Sequence, residues 1–158
     1  MGLLIVTCSP GNMGLCEQEI GNILYPYDPD IRIRWTRHKG VLIVDTRLDP
    51  MEAFRKLRSS EYGFVRRIVP LQKIVDPSVE SIIRAVEEIL EYGLDKVCLR
   101  IRIRGIRGLS SRVWNSVREL LTRRGIRVSR DAPKCIYIEG VDQIIGVSLL
   151  GNGEDRVV

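Results

Sequence analysis

Over residues 1–75 the hydrophobic pattern alternates between period two and period 3.6, and the order of that alternation restricts the fold more than composition does. Leu3–Thr7 is a short apolar run that reads as a strand. Ser9-Pro10-Gly11-Asn12 is turn chemistry. A helix is expected from about Gly14 to Tyr25, with Leu15, Ile20, Ile23 and Leu24 on one side. Glu17 and Glu19 fall in its first turns, where the helix dipole favours acids. Tyr25–Pro29 is a loop. Ile31, Ile33 and Trp35 then alternate with Arg32, Arg34 and Thr36, and His38–Gly40 turns the chain into a return strand, Val41–Val44. Asp49-Pro50 supplies an N-cap and a proline at the first helical position, so a second helix runs to about Leu57. Gly63–Ile74 is the last extended segment, broken by Pro70.

That order is β-α-β-β-α-β, the split βαβ of a ferredoxin-like unit. Val75-Asp76-Pro77-Ser78 reads as a junction, and a second pattern follows. Asp76 or Ser78 caps a helix from about Val79 to Tyr92, and Gly93 stops it. In Val97–Gly105 the apolar residues Val97, Leu99, Ile101 and Ile103 alternate with Cys98, Arg100, Arg102 and Arg104. After a loop at 105–108, Ser110 or Ser111 is expected to cap a helix with Val113, Trp114, Val117, Leu120 and Leu121 on its core face. Gly125 ends it. Ile126–Ser129, Cys135–Glu139 and Gln143–Leu150 read as strands. The expected class is α+β. A ferredoxin-like domain occupies 1–75, a second α/β domain 76–150, and a loose tail 151–158.

Charge is concentrated in the second pattern. Lys96–Lys134 holds twelve basic and two acidic residues, a balance of +10, so the remainder sums to −5 of a total of +5. Ten of the twelve are Arg, whose planar fork suits phosphates and stacked bases. A focused positive field concentrates polyanions, so nucleic acid is the first partner to consider. The competing reading is an Arg-rich surface paired internally with acids. Arg100, Arg102 and Arg104 fall on one face of a strand, roughly 7 Å apart, close to the spacing of phosphates along a single strand. The glycine loop 105–108 and the helix start at Ser110–Arg112 complete a possible phosphate cradle. Its alternative is an Arg face paired with Glu139, Asp142 or helix acids. Arg107 and Arg112 flank the helix start, and Arg130 and Lys134 extend the patch.

Recognisable catalytic chemistry is absent from the sequence. There is no Gly-x-Ser-x-Gly, no Cys-x-x-Cys and no P-loop. His38 is the only histidine and sits among cations, which reads as a surface position. Gly11 and Gly14 follow a strand, but a turn entering a helix explains them better than a nucleotide loop does. Trp35 suits stacking on a base and a core role equally, whereas Trp114 lies on an apolar stripe and reads as core. Cys8, Cys16, Cys98 and Cys135 lack zinc spacing and read mostly as buried thiols. A disulfide between the last two stays open if the source is a hyperthermophile. No metal and no cofactor is expected. No apolar run approaches the roughly 18 residues of a membrane span, and the start lacks the basic residues of a signal peptide. A cytoplasmic location is therefore expected.

From about Val79 to Leu150 the chain resembles a THUMP domain. The residues that carry the likeness are Leu99–Gly105, the helix containing Trp114, Gly125-Ile126-Arg127-Val128, Ala132–Glu139 and Gly146-Val147-Ser148. THUMP proteins commonly place a ferredoxin-like domain before this part, and residues 1–75 have that layout. Thr7-Cys8-Ser9-Pro10-Gly11 is similar to the opening of stand-alone THUMP proteins that assist tRNA cytidine acetylation. The resemblance implies tRNA binding, usually through the acceptor end, with chemistry done by an attached or separate enzyme. Elsewhere THUMP modules are fused to methyltransferase, 4-thiouridine synthase or deaminase domains, and no such domain follows in these 158 residues. The expectation is a non-catalytic tRNA-binding protein that presents tRNA to an RNA cytidine acetyltransferase or another tRNA-modifying enzyme. Two alternatives stay open: a small RNA-modifying enzyme with an unrecognised site, and a module that binds an acidic protein partner. The family's basic loop residues vary, so the individual contacts rest on the charge pattern rather than on the likeness.

Overall fold

In the computed structural model, residues 2–157 are described. The chain forms two compact units. One runs to Gln72 and takes back the chain from Asp155 onward, and the other is Lys73–Glu154.

The first unit contains β1 (Gly2–Cys8), α1 (Met13–Leu24), β2 (Arg32–Trp35), β3 (Val41–Thr46), α2 (Pro50–Arg58) and β4 (Val65–Pro70). Its sheet has the order β2-β3-β1-β4, and each neighbouring pair is antiparallel. The central strands β1 and β3 are buried along most of their length, with Leu4, Val6, Leu42 and Val44 fully covered. Cys16, Ile20 and Leu24 of α1 and Ala53, Phe54 and Leu57 of α2 supply the helix side of the core. Of these, Ile20, Leu24, Phe54 and Leu57 each stabilise the fold by about 1.5–3 kcal/mol through burial.

Local signals set α2 as expected. Asp49 accepts from the backbone N–H groups of Met51 at 3.0 Å and Glu52 at 3.4 Å, and Pro50 opens the helix. The acids of α1 have tertiary roles instead of dipole roles. Glu17 and Glu19 lie past the first turn of a helix that begins at Met13. Glu17 accepts from the Trp35 indole, and Glu19 accepts from the backbone N–H groups of Gly63, Phe64 and Val65 at 2.6–3.0 Å.

The expected extended segment 63–74 splits. β4 pairs with β1, whereas Lys73–Val75 forms β5 in the other sheet. The unit boundary therefore falls at 72/73 instead of 75/76. Extended propensity marks both pieces as strand but carries no information about which edge each joins. The tail also differs from the loose segment expected at 151–158. Gly151 ends a strand, and the Asp155 carbonyl accepts from Ile68 N–H at 2.8 Å. The Asp155 carboxylate meets Arg67 Nε at 2.6 Å, and Val157 N–H reaches Arg66 O at 3.3 Å.

The second unit holds β5, α3 (Val79–Ile89), β6 (Lys96–Ile103), α4 (Leu109–Arg123), β7 (Arg127–Val128), β8 (Lys134–Val141) and β9 (Ile144–Gly151). Its sheet order is β5-β9-β8-β6-β7. β6 runs parallel to both β7 and β8, and β9 runs antiparallel to β8 and β5. Helices α3 and α4 pack on one face, where Ile82, Val86, Val113, Val117 and Leu121 meet Val97, Leu99, Ile136, Ile138 and Val147. Ser78 caps α3 through Ser81 N–H at 3.2 Å. The helix stops at Ile89, before Gly93, because Leu90 is already extended.

All four cysteines are paired, Cys8 with Cys16 and Cys98 with Cys135. The expectation of mostly free thiols is thus replaced, and the open question about the second pair is answered in favour of a bond. Cys98 and Cys135 are register partners on adjacent parallel strands, a proximity invisible in their 37-residue separation.

Candidate nucleic-acid interface

Alternation along β6 sorts its side chains as the sequence implied. Val97 and Leu99 are buried in the helix-side core, whereas Arg100 and Arg102 are exposed. β7 pairs with β6 only at Lys96 and Val97, so among the described residues the outer edge of β6 has no strand partner beyond that point. The exposed arginines therefore rise from a strand with an accessible flank.

Arg104 behaves differently. Its Nη1 lies 3.2 Å from Glu139 Oε2, and its side chain is 19% exposed against 1% for Glu139. β6 and β8 run in parallel with Arg102 level with Glu139, so Arg104 reaches Glu139 on a diagonal, from two residues further along the same face. The internal-pairing alternative thus holds at this rung of the ladder.

Beyond β6 the chain turns through Gly105 and Gly108, both with left-handed backbone, φ 93° and 79°. Gly108 is the N-cap of α4 and offers no side chain to the first turn. Neither expected serine caps the helix. Ser110 instead accepts from Ile103 N–H at 3.3 Å and donates to Ile103 O at 3.5 Å, which latches the helix start to the end of β6. The first turn of α4 carries no acidic residue. A helix N-terminus with no side-chain cap and no acid of its own favours an external anion. Arg107 and Arg112 are exposed beside it, and neither has a side-chain partner among the described residues.

The remaining two site residues lie at the other end of the parallel strands. The β6–β8 ladder runs from Cys98↔Cys135 to Ile103↔Gly140, a rise of ~17 Å. Lys134 opens β8 at the near end and binds Glu91 Oε1 at 2.7 Å, with both side chains about half exposed. Arg130 is exposed in the preceding loop. Asn152 ties this end together. Its Nδ2 donates to Arg130 O and Ala132 O, both at 2.9 Å, and its Oδ1 accepts from Arg100 Nη2 at 3.4 Å. Asp131 is the acid inside this basic stretch. The Ser129 hydroxyl, followed by the Lys96 charge, holds its carboxyl below the usual range.

The seven predicted residues thus form two groups. Arg102, Arg104, Arg107 and Arg112 gather at the carboxyl end of β6, and Arg100, Arg130 and Lys134 gather toward its start. Sequence reasoning missed Asn152, whose placement between Gly151 and Gly153 was the available signal, and it missed Glu91, for which there was none. Both tryptophans are exposed, Trp35 at 58% and Trp114 at 36%. Trp114 follows Val113 by one residue, so it is turned about 100° off the buried stripe of Val113, Val117 and Leu121. Among the described residues no three His, Cys, Asp or Glu side chains cluster as metal ligands, and no helix is long and apolar enough to cross a membrane.

No family model matches the chain, and no curated protein sequence matches it. Solved structures do. PH1313 from Pyrococcus horikoshii Ot3 is 19% identical over 96% of this chain and 56% of its own, with a TM-score of 0.63. TrmN from Thermus thermophilus is 19% identical over 94% of this chain and 45% of its own, with a TM-score of 0.63. A 4-thiouridine synthetase solved with RNA and bound ATP is 10% identical over 96% of this chain and 42% of its own, with a TM-score of 0.52. The chain spans about half the length of the structures it matches. At these identities the likeness is one of fold, and among the described residues that fold is an α+β architecture with two sheets and four helices.

Proposed function

We infer that this chain binds tRNA through the basic face of its Lys73–Glu154 unit. The observation that carries this reading is a run of exposed arginines, Arg100, Arg102, Arg107, Arg112 and Arg130, on the strand, loop and helix start of one sheet. Supporting it are the +10 balance of Lys96–Lys134 and the resemblance of that stretch to THUMP domains. The fold likeness to a synthetase solved with RNA points the same way. The β-α-β-β-α-β order and the β2-β3-β1-β4 sheet support a ferredoxin-like reading of the first unit.

In this reading the chain performs no chemistry of its own and presents tRNA to a separate modifying enzyme, an RNA cytidine acetyltransferase by the resemblance. Arg104 serves the fold through Glu139 rather than the RNA. Lys134 stays available, because an exposed ion pair is worth only about 0–1 kcal/mol and yields readily to a phosphate. The test is incubation of purified chain with tRNA and acetyl-CoA, S-adenosylmethionine or ATP, followed by mass spectrometry of the nucleosides. The expected result is bound, chemically unchanged tRNA. A new nucleoside made by the chain alone supports the enzyme reading instead. Failure to bind tRNA, with tight binding of an acidic protein, supports the interaction module.

A further inference from the structure

The first unit carries a recess where β1 and β2 end and α1 begins. It measures about 710 Å³, and its lining includes Thr7, Pro10, Met13, Trp35, Lys39 and Gly40. The lining is mainly apolar and includes no acidic residue. Its walls are fixed before any ligand arrives. The Trp35 indole Nε1 donates to Glu17 Oε1 at 2.6 Å, so the ring is held by its edge, and yet the residue stays 58% exposed. Met13 is placed by Gly40 N–H, 3.4 Å from its sulfur. The turn after β1 is braced by Asn12 Nδ2, which donates to Ser9 Oγ at 3.0 Å and Pro10 O at 3.1 Å. The Cys8–Cys16 bond ties the strand end to the helix beneath it. Binding to such a preformed site avoids most of the ordering cost.

Charge says what fits. Residues 31–44, which make up β2, its turn and the start of β3, contain four basic residues and no acidic one. Lys39 stands exposed at the rim of the recess. A flat aromatic wall, an apolar floor and a cation at the mouth match a base with its phosphate. RNA-binding proteins read splayed bases by stacking them on aromatic rings. We propose that this recess takes one unstacked nucleobase of the bound RNA, its ring against Trp35 and its phosphate against Lys39. This rests on the tRNA-binding reading and adds a second contact point, in the other unit and of a different kind.

The test uses the full-length protein. Only Trp35 and Trp114 fluoresce as tryptophan, so Trp114→Phe leaves Trp35 as the reporter. A short single-stranded oligoribonucleotide should quench it, whereas a blunt-ended duplex of equal length should not. Trp35→Ala should raise the Kd for the single strand about tenfold. Trp35→Phe, which keeps a ring, should raise it less and guards against a folding artefact. Lys39→Gln should reduce the logarithmic salt slope by about 0.7, one single-strand phosphate contact. If wild-type protein binds tRNA but Trp35→Ala and Trp35→Phe leave the single-strand Kd unchanged, the base site is wrong and the RNA reading stands. If wild-type protein binds neither RNA, both fall together.

Discussion

At the scale of single residues, buried or half-buried acids hold this chain together at points far apart in sequence. Asp28 is one. Its carboxylate accepts from the Thr46 hydroxyl at 2.7 Å and from the backbone of Arg47 at 2.8 Å and Asp30 at 3.2 Å. The Thr46 hydrogen bond, then that of Arg47, holds it below the usual carboxylate range. The charged form is thus favoured in the folded state. Its stabilisation is present above pH ~4 and is lost as pH falls through the lowered folded value. Unfolding midpoints measured across pH should show Asp28→Asn less stable than wild type near neutrality, with the gap closing in acid. Glu19 gathers three backbone N–H groups, so Glu19→Ala strands donors and should cost about 1–3 kcal/mol by denaturant titration. Arg104→Gln breaks a charge-assisted bond to buried Glu139 and should cost about 1.5–3 kcal/mol. An Arg that served RNA alone would show no such loss.

At the scale of elements, the sequence was most legible where partners are near neighbours. Asp49 and Ser78 cap α2 and α3 as their position before an apolar period implies. The alternation of β6 placed Arg100 and Arg102 on an exposed face correctly. Legibility failed where the deciding contact is distant or lies between equal local choices. Ser110 looked like a cap, but the end of β6 takes its hydroxyl. Glu17 reads as a dipole acid until Trp35, 18 residues on, is placed beside it. Arg104 continues the alternation of its neighbours, and although Glu139 stood among the possible partners of the Arg face, the sequence did not say which arginine it takes. The β8–β9 turn makes its own prediction. Asp142 and Gln143 have φ of 50° and 69°, left-handed values that Asp tolerates better than Gln does. Gln143→Gly removes that strain and should raise stability by up to about 1 kcal/mol, read as a higher melting temperature.

At the scale of the whole molecule, each unit carries its own sheet, helices and disulfide. Separations of 8 and 37 residues correspond to stabilisation of about 2.5 and about 4 kcal/mol by loop closure in the unfolded chain. Reduction should lower the unfolding midpoint, and Cys98→Ala with Cys135→Ala should lower it more than removal of the first pair. The uneven charge matters more for function. Acids outside Lys96–Lys134 offset half of its +10, so net charge alone hides the basic face. The central claim is that exposed arginines of this face neutralise tRNA phosphates. It is tested most directly by the salt dependence of tRNA binding, compared between wild type and a chain with Arg100, Arg107 and Arg112 changed to Gln. The expected result is a log-linear fall in affinity with salt and a slope flatter by about three units in the variant, one per lost phosphate contact, with the melting temperature unchanged. An identical slope in a variant that folds normally would contradict the account.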